Sequence, residues 1–300
     1  MLSLLALSAS ADPIMWADLG LKSYLFEAEL WEGFTFQLRY YSLAYLIGVM
    51  FAYWHLSKMI KSPGAPMAQR HADDLFFYCT LGVILGGRLG YAAFYQPDLF
   101  TSFDGDGFVS WKLLRLWDGG MAFHGGVLGV LAAIFFVANR GKLSFLRVCD
   151  YIAVNVPLGM LLGRLANFTN GELWGRETDV SWGMVFPGGG DVVRHPSQLY
   201  QAGLEGLLLL VVLLFLFWRT KSRYRPGLLV GLFTVGMAAA RFFNEFFRAP
   251  DAHLVHRVTE TGLSQGQWLS IPMFLAGVAV VIYALTRKDE AVTSRAPQDA

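Results

Sequence analysis

The chain has 300 residues, of which 55% are hydrophobic and 15% aromatic, while only 16% are charged. This composition excludes an ordinary soluble domain and predicts a chain that lies largely in a lipid bilayer. The formal net charge is +1, so no basic surface for nucleic acid is expected.

Seven apolar segments are long enough to cross a bilayer, which takes about 20 residues each. The sequence therefore predicts an all-α polytopic membrane protein, a bundle of seven transmembrane helices with short elements on the periplasmic side. We expect one integral membrane domain over residues 1–300. The predicted spans lie near residues 38–57, 74–95, 120–139, 148–169, 199–218, 227–246 and 268–286.

The connections between these spans alternate in charge. Lysines and arginines concentrate near 58–72, 140–147, 219–226 and after 286, whereas the other connections are longer and mixed. The positive-inside rule places the basic loops in the cytoplasm, so the N-terminus lies outside and the C-terminus inside. Residues 289–300 are expected to form a disordered cytoplasmic tail. The opening stretch "MLSLLALSASADP" lacks a basic start, so a cleaved signal peptide is not favoured, although the sequence leaves this open.

Glycines recur four residues apart in several spans, a spacing that lets helices approach closely in lipid. Cys79 and Cys149 lie in or beside apolar runs and are interpreted as buried thiols rather than as a disulfide or zinc site. The six histidines show no metal-ligand spacing, so no metal is expected. The glycines with this spacing form four sets, namely Gly82, Gly86 and Gly90; Gly125 and Gly129; Gly159 and Gly163; and Gly227 and Gly231.

Charged side chains at membrane depth are costly and therefore face the bundle interior or reach the interface. Arg88 suits a structural ion pair and a site residue equally well. Arg164 shares a helix face with Asn167, and Arg241 lies four residues before Glu245, with which it can form a salt bridge. Two arginines at one predicted depth favour an anion site, since guanidinium groups bind phosphate with two prongs.

His124 lies at the predicted outer end of the third span, at the same depth as both arginines. Gly125 follows it and opens space for a substrate or another backbone. A lone histidine on an apolar helix is usually a satisfied interior residue, but here it also suits proton transfer. The residues alone thus indicate a site at the outer leaflet, with arginines for an anion and a histidine for a proton.

Several motifs, in order, resemble the prolipoprotein diacylglyceryl transferase family. The resemblance runs from about residue 38 to 286. Its motifs are "YYSLAYLIG" (40–48), "LGGRLGYAAFY" (85–95), "LWDGGMAFHGG" (116–126), "GRLANFTNGELWGRET" (163–178), "RHPSQLY" (194–200) and "RFFNEFFRAPD" (241–251).

The resemblance implies a seven-span enzyme of the bacterial inner membrane whose site faces the periplasm. Its expected reaction moves the diacylglyceryl group of phosphatidylglycerol to the lipobox cysteine of a prolipoprotein signal peptide, and glycerol 1-phosphate leaves. No cofactor is needed, because the leaving group is already activated. The expected partners are phosphatidylglycerol, the prolipoprotein and membrane lipids.

The resemblance also implies roles for single residues. Arg164 matches the arginine that contacts the lipid phosphate, Arg241 the essential arginine of the sixth span, and His124 the family histidine. These three are the predicted catalytic residues, and whether His124 or Arg241 mainly activates the thiol stays open. The expected phosphatidylglycerol-binding residues are Arg164, Asn167, Tyr41, Glu172, Gly175, Gly125 and Glu245.

Two positions depart from the family pattern, since Ala166 replaces a glycine and Met237 replaces a tyrosine found in some members. Neither removes a charge, so we expect activity to survive both.

A transporter or lipid-flipping protein with an anion site is the alternative from another class. The inverted repeats or paired broken helices expected of a transporter are not found in the sequence. A structural membrane subunit would leave the His–Gly–Gly stretch without a role.

Overall fold

The computed structural model describes residues 13–31, 33–100, 111–249 and 262–287. The predicted tail, 289–300, and the first 12 residues lie outside these ranges. A π-helix, Ala202–Leu208, joins the helices Ser197–Gln201 and Leu209–Arg219. The helices are α1 (Tyr40–Met59), α2 (Gln69–Phe94), α3 (Trp111–Leu114), α4 (Phe123–Arg140), α5 (Phe145–Ala153), α6 (Val156–Thr169), α7 (Ser197–Gln201), α8 (Leu209–Arg219), α9 (Leu228–Asn244) and α10 (Gln265–Thr286).

Each of the seven predicted spans coincides with helical residues. Helix α9 is apolar but has only 17 residues, and α1, with 20 residues, falls below the hydropathy of the others. The structure therefore shows a mostly helical polytopic architecture, and the count of seven spans stays a prediction. Within the described residues, five segments are long and apolar enough to cross a membrane, namely Gln69–Phe94, Phe123–Arg140, Phe145–Thr169, Ser197–Arg219 and Gln265–Thr286.

The expectation of an all-α chain is corrected by four short strands. β2 (Tyr24–Trp31) and β3 (Phe34–Arg39) form an antiparallel hairpin, and β1 (Ile14–Met15) pairs in parallel with β4 (Met184–Val185). The hairpin segments alternate apolar and polar side chains, which is the period of a strand. Because β3 continues to Arg39, α1 begins two residues after the predicted start of the first span.

The fourth predicted span is not one continuous helix. It is divided into α5 and α6 by a turn at Val154 and Asn155. Pro157, at the start of α6, has no backbone N–H and cannot continue the hydrogen-bond ladder of α5. The side chain of Asn155 compensates, because its Nδ2 donates to the carbonyl oxygen of Tyr151 at 2.8 Å.

Small residues bring α2 and α4 into backbone contact, as the glycine spacing predicts. A Cβ atom added at Gly82 would lie 2.5 Å from the carbonyl oxygen of Gly129, and one at Gly90 would lie 2.7 Å from Gly125 Cα. Gly231 likewise packs against Val281 of α10. The interpretation fails at Gly163, where a Cβ would meet nothing within 4 Å.

The buried apolar core lies at one end of the bundle. It includes Leu56 at the end of α1, Leu75 near the start of α2 and Val137 near the end of α4, together with Val148 and Phe217. The three predicted basic loops therefore share this end. Arg147 ties them together, since its Nη2 donates to the carbonyl oxygens of Gly64 and Arg223 at 2.6 and 3.3 Å. The end of α6, the start of α7 and the end of α9 lie at the opposite end.

The close contact of α2 with α4 predicts a steric cost at Gly86. Its added Cβ would overlap the carbonyl oxygen of Gly125, so Gly86→Ala should lower the free energy of unfolding by about 1–3 kcal/mol, the usual cost of overpacking. Thermal unfolding in detergent measures the effect. Gly126→Ala is the matched control, because its nearest neighbour would lie 3.7 Å away. The control should be neutral or stabilising by up to about 1 kcal/mol. Equal stability of both variants would contradict the packing described here.

Candidate active site

Glu205 lies at the centre of a charged cluster at the end of the bundle away from the apolar core. Its side chain is fully buried. Oε2 lies 3.7 Å from Arg164 Nη2, and Oε1 lies 3.9 Å from Arg241 Nη1. Asn244 Nδ2 donates to Oε1 at 3.1 Å. One carboxylate thus faces both arginines that the sequence predicts to bind an anion.

The π-helix explains how Glu205 reaches this position. Such insertions into α-helices are frequent at functional sites, since they redirect side chains locally. Gly206 allows close approach to α6, because a Cβ there would lie 2.6 Å from Leu161 Cα. Helix α6 carries Arg164 three residues further on, so this contact brings the carboxylate and the guanidinium together.

Glu245 completes the cluster on the side of α9. Its Oε1 lies 2.8 Å from Arg241 Nη2 and 3.3 Å from Arg248 Nη1, while Oε2 accepts a hydrogen bond from Ser264 Oγ at 2.8 Å. The predicted Arg241–Glu245 pair is confirmed. Both oxygens of Glu245 are engaged by the protein, which suits the positioning of Arg241, and its predicted contact with lipid stays a prediction.

Among the described residues, the salt bridges of the cluster join more guanidinium groups than carboxylates. Three guanidinium groups, Arg164, Arg241 and Arg248, face two carboxylates, Glu205 and Glu245. The distances from Glu205 to the arginines are too long for hydrogen bonds. Among the described residues, Glu205 Oε2 accepts no hydrogen bond. Glu205 therefore balances charge without engaging the donors of the two arginines that face it.

The residues after Arg164 form a hydrogen-bond network around Asn167. Asn167 Nδ2 donates to Tyr41 Oη at 3.0 Å and to Glu172 Oε1 at 2.9 Å, and its Oδ1 lies 3.5 Å from Arg164 Nη1. Asn170 Nδ2 also donates to Glu172, at 3.0 Å. The structure thus brings together four predicted residues, and their network fixes the end of α6 against the start of α1.

Gly175 lies where two other segments approach the backbone. Its N–H donates to the carbonyl oxygen of His195 at 2.8 Å. An added Cβ would lie 2.5 Å from the carbonyl oxygen of Phe247 and 2.7 Å from that of His195. A larger residue would displace the backbone of His195 or Phe247. Gly175 therefore allows close backbone packing, and it pairs with Arg248 in an isolated antiparallel bridge.

His195, whose carbonyl oxygen accepts the hydrogen bond from Gly175, also contacts α7. Its Nδ1 lies 3.1 Å from Tyr200 Oη, which also accepts a hydrogen bond from Trp182 Nε1 at 2.7 Å. Burial lowers the pKa of the His195 imidazole below its ordinary value, and the nearby Asp179 carboxylate opposes this shift. The neutral ring, whose Nδ1 can accept a hydrogen bond from Tyr200 Oη, is thereby favoured near neutral pH.

His124 is not connected to the cluster by the contacts of the described residues. It is the second residue of α4 and is exposed, and its described ring contact is with Phe123. Gly125 is buried, and its missing side chain is explained by packing on Gly86 and Gly90. The structure therefore places these two predicted residues on the α2–α4 pair, apart from the arginine network.

Arg88 has a structural role among the described residues. It is buried and donates to four backbone carbonyl oxygens, and no described carboxylate pairs with it. Those oxygens belong to Lys112, Leu113, Gly119 and Gly120, so Arg88 fixes the loop that precedes α4.

Comparison with known proteins identifies the family. The model of the family described as prolipoprotein diacylglyceryl transferase matches residues 29–283. The chain belongs to this family. A protein from Erythrobacter litoralis, named phosphatidylglycerol–prolipoprotein diacylglyceryl transferase, is 66% identical over 93% of this chain and 95% of its own length. Proteins of the same name from Zymomonas mobilis and Pseudoalteromonas atlantica are 44% and 46% identical over 90% and 85% of this chain, and 93% and 88% of their own lengths.

The family resemblance predicted from the motifs is thus confirmed, but sequence reasoning missed Glu205 and Arg248. A signal for Glu205 was present, because it is the one charged residue in the predicted span 199–218. Ionisable residues within membrane segments are candidate functional residues by default. Arg248 lies past the end of the predicted sixth span, where no pattern distinguishes it from an ordinary interfacial arginine.

Removing the charge of Glu205 should destabilise the cluster. Glu205→Gln leaves Arg164 and Arg241 facing each other without the buried carboxylate, and breaking a buried pair costs about 3–5 kcal/mol. The matched control is Glu177→Gln. Glu177 lies 3.8 Å from Arg194 but is 70% exposed, so its loss should cost about 0–1 kcal/mol. Thermal unfolding in detergent compares the two, and a Glu205→Gln protein as stable as the control would refute the central role of this carboxylate.

Proposed function

We propose that this chain transfers the diacylglyceryl group of phosphatidylglycerol to the lipobox cysteine thiol of bacterial prolipoproteins. A thioether forms and glycerol 1-phosphate is released. The family makes the chain a transferase of a bacterial membrane. The observation that carries the proposal for the site is that Arg164 and Arg241 face one buried carboxylate, Glu205, at distances too long for hydrogen bonds. Guanidinium donors that Glu205 does not engage can bind the phosphodiester of the lipid.

The reaction breaks a carbon–oxygen bond and forms a carbon–sulfur bond. The phosphate oxygen keeps the electron pair of the broken bond, so negative charge grows on the leaving group. Arg164 and Arg241 are available to stabilise that charge, since their side chains are 24% and 22% exposed and face the same carboxylate. In a site with little water such stabilisation contributes several kcal/mol, as one oxyanion donor contributes about 3–4 kcal/mol.

Glu205 and Asn167 would act as positioning residues in this site. Glu205 holds the two guanidinium groups near each other without occupying their hydrogen bonds. Asn167 orients Arg164 and links it to Tyr41. A phosphate that arrives between the arginines would therefore find donors already arranged, which reduces the cost of ordering them on binding.

The thiol proton needs an acceptor, and we retain His124 for this role. A cysteine thiol has a pKa near 8.5, so only a few per cent is ionised near pH 7 without help. The family resemblance supports His124, whereas its exposed position on α4 means that bound substrate would have to connect it to the arginines. Activation of the thiol by Arg241 is the alternative.

We infer that the site faces the periplasm, that seven spans cross the inner membrane and that the C-terminus is cytoplasmic. The shared end of the three basic loops supports this orientation through the positive-inside rule. A reporter that is active only in the cytoplasm should work when fused after Lys288 and fail when inserted near Gly189. The reverse pattern would invert the orientation.

A purified-protein assay tests the activity and the arginine site together. Detergent-solubilised protein, phosphatidylglycerol and a lipobox peptide should yield a thioether adduct that mass spectrometry detects. Arg164→Lys should reduce turnover by roughly 10²–10³-fold, the cost of losing one preorganised donor, because an ammonium cannot make the two-pronged contact. Arg140→Lys, at the exposed end of α4, is the matched control and should leave turnover unchanged. No adduct with the unmodified chain would refute the activity, and near-normal turnover of Arg164→Lys would refute the phosphate site alone.

The proposed base predicts a defect that alkaline pH repairs. His124→Gln should bind phosphatidylglycerol normally but slow thioether formation by roughly 10²–10⁴-fold, the range for lost general-base catalysis. The deficit relative to the unmodified chain should shrink towards pH ~8.5, where the peptide thiol ionises without help. Phe123→Leu, at the neighbouring exposed position, serves as control. A His124→Gln enzyme with normal turnover at neutral pH would assign thiol activation to the arginines.

A further inference from the structure

The β2–β3 hairpin has one apolar and one polar face. Residues directly opposite each other in antiparallel strands point to the same side of the sheet, and the next pair points to the other side. The pairing register therefore separates two sets of four residues. The apolar face holds Phe26, Ala28, Phe36 and Leu38. The polar face holds Glu27, Glu29, Thr35 and Gln37.

The apolar face of the hairpin is uncovered by the described chain. Phe26 is 53% exposed and Phe36 is 44% exposed. On the polar face, by contrast, Gln37 Nε2 donates to Glu27 Oε1 at 2.8 Å. A two-stranded hairpin with an open apolar face is marginally stable in water. The face therefore requires an apolar partner.

Both ends of the hairpin are fixed at the end of the bundle that holds the arginine cluster. Before it, Trp16 Nε1 donates to the carbonyl oxygen of Phe168 in the last turn of α6, at 2.8 Å. After it, Tyr41 accepts the hydrogen bond from Asn167. Strand β3 ends at Arg39 and α1 begins at Tyr40, so no linker separates the hairpin from the helix.

The surface that continues from the hairpin is apolar and faces outward. In the first turns of α1, Tyr45, Leu46 and Ile47 are 63%, 59% and 50% exposed. For a helix embedded in a bilayer these side chains contact lipid. Because β3 runs directly into α1, the hairpin lies at the level where a spanning helix begins and where aromatic residues are enriched.

We propose that the apolar face of the hairpin lies on the outer lipid surface beside the arginine cluster, with Phe26 and Phe36 inserted between the headgroups. The inference rests on the membrane embedding and orientation proposed above. It assigns the hairpin the geometry of an interfacial amphipathic element, whose apolar side is buried at the boundary of headgroups and acyl chains. The polar face carries Glu27 and Glu29, so the proposal makes burial of apolar area, rather than attraction to anionic lipid, the interaction that holds the hairpin on the membrane.

Collision measurements on spin labels can test this placement without any measurement of activity. The full chain, with Cys79→Ala and Cys149→Ala as background, would carry one label in a nanodisc. The matched labelling pairs are Phe36→Cys with Thr35→Cys, and Phe26→Cys with Glu27→Cys, because each pair joins neighbours on opposite faces. Oxygen concentrates in lipid and a nickel chelate in water. The ratio of oxygen to nickel collisions should rise at 26 and 36 and fall at 27 and 35.

The alternation should persist at high salt and in nanodiscs made only of zwitterionic lipid, since charge does not drive it. Equal access of nickel to both faces would overturn the proposal. So would shielding of positions 26 and 36 that appears only when the lipobox peptide is added, because the peptide would then be the occupant. Retained transferase activity in such a variant would separate failure of this proposal from failure of the proposed function.

Discussion

A buried carboxylate facing two guanidinium groups is the interaction on which the site depends. Glu205 is fully buried in an otherwise apolar segment, and an unpaired charge there would be prohibitively costly. Arg164 and Arg241 make its ionised form tolerable, and it in turn keeps two like charges close together. The hydrogen bonds of the cluster are nevertheless incomplete, because one Glu205 oxygen accepts no hydrogen bond within the described residues.

Contacts elsewhere in the bundle hold the side chains of Glu205, Arg164 and Arg241 in their relative positions. The π-helix and Gly206 bring Glu205 against α6, while Asn167 fixes the end of α6 on α1. At the far end Asp150 accepts hydrogen bonds from the backbone N–H groups of Gly227 and Val230, at 2.7 and 2.8 Å, and so caps α9 from a neighbouring helix. Helix α9 carries Arg241, so this cap fixes the depth at which that arginine lies.

Much of this arrangement could be predicted from the sequence, because burial and charge leave strong patterns. The apolar segments, the Arg241–Glu245 pair and the glycines between α2 and α4 followed from spacing alone. The hairpin and the break at Asn155 did not, since the hairpin occupies a short alternating stretch and the break depends on Asn155 and Pro157, whose signal the strongly apolar segment around them outweighed. The burial of Glu205 depends on a π-helix and on the close packing of Gly206 against α6, and the spacing of residues predicts neither. For His124 the sequence predicted the depth of both arginines, but depth along a helix does not say which side of the bundle a residue faces.

The most direct measurement is a structure of the full chain in a nanodisc that contains phosphatidylglycerol. The account predicts lipid phosphate within hydrogen-bond distance of both the Arg164 and the Arg241 guanidinium, with Glu205 still between the two arginines. A phosphate held elsewhere, for instance on the α2–α4 pair beside His124 with both arginines turned away, would contradict it.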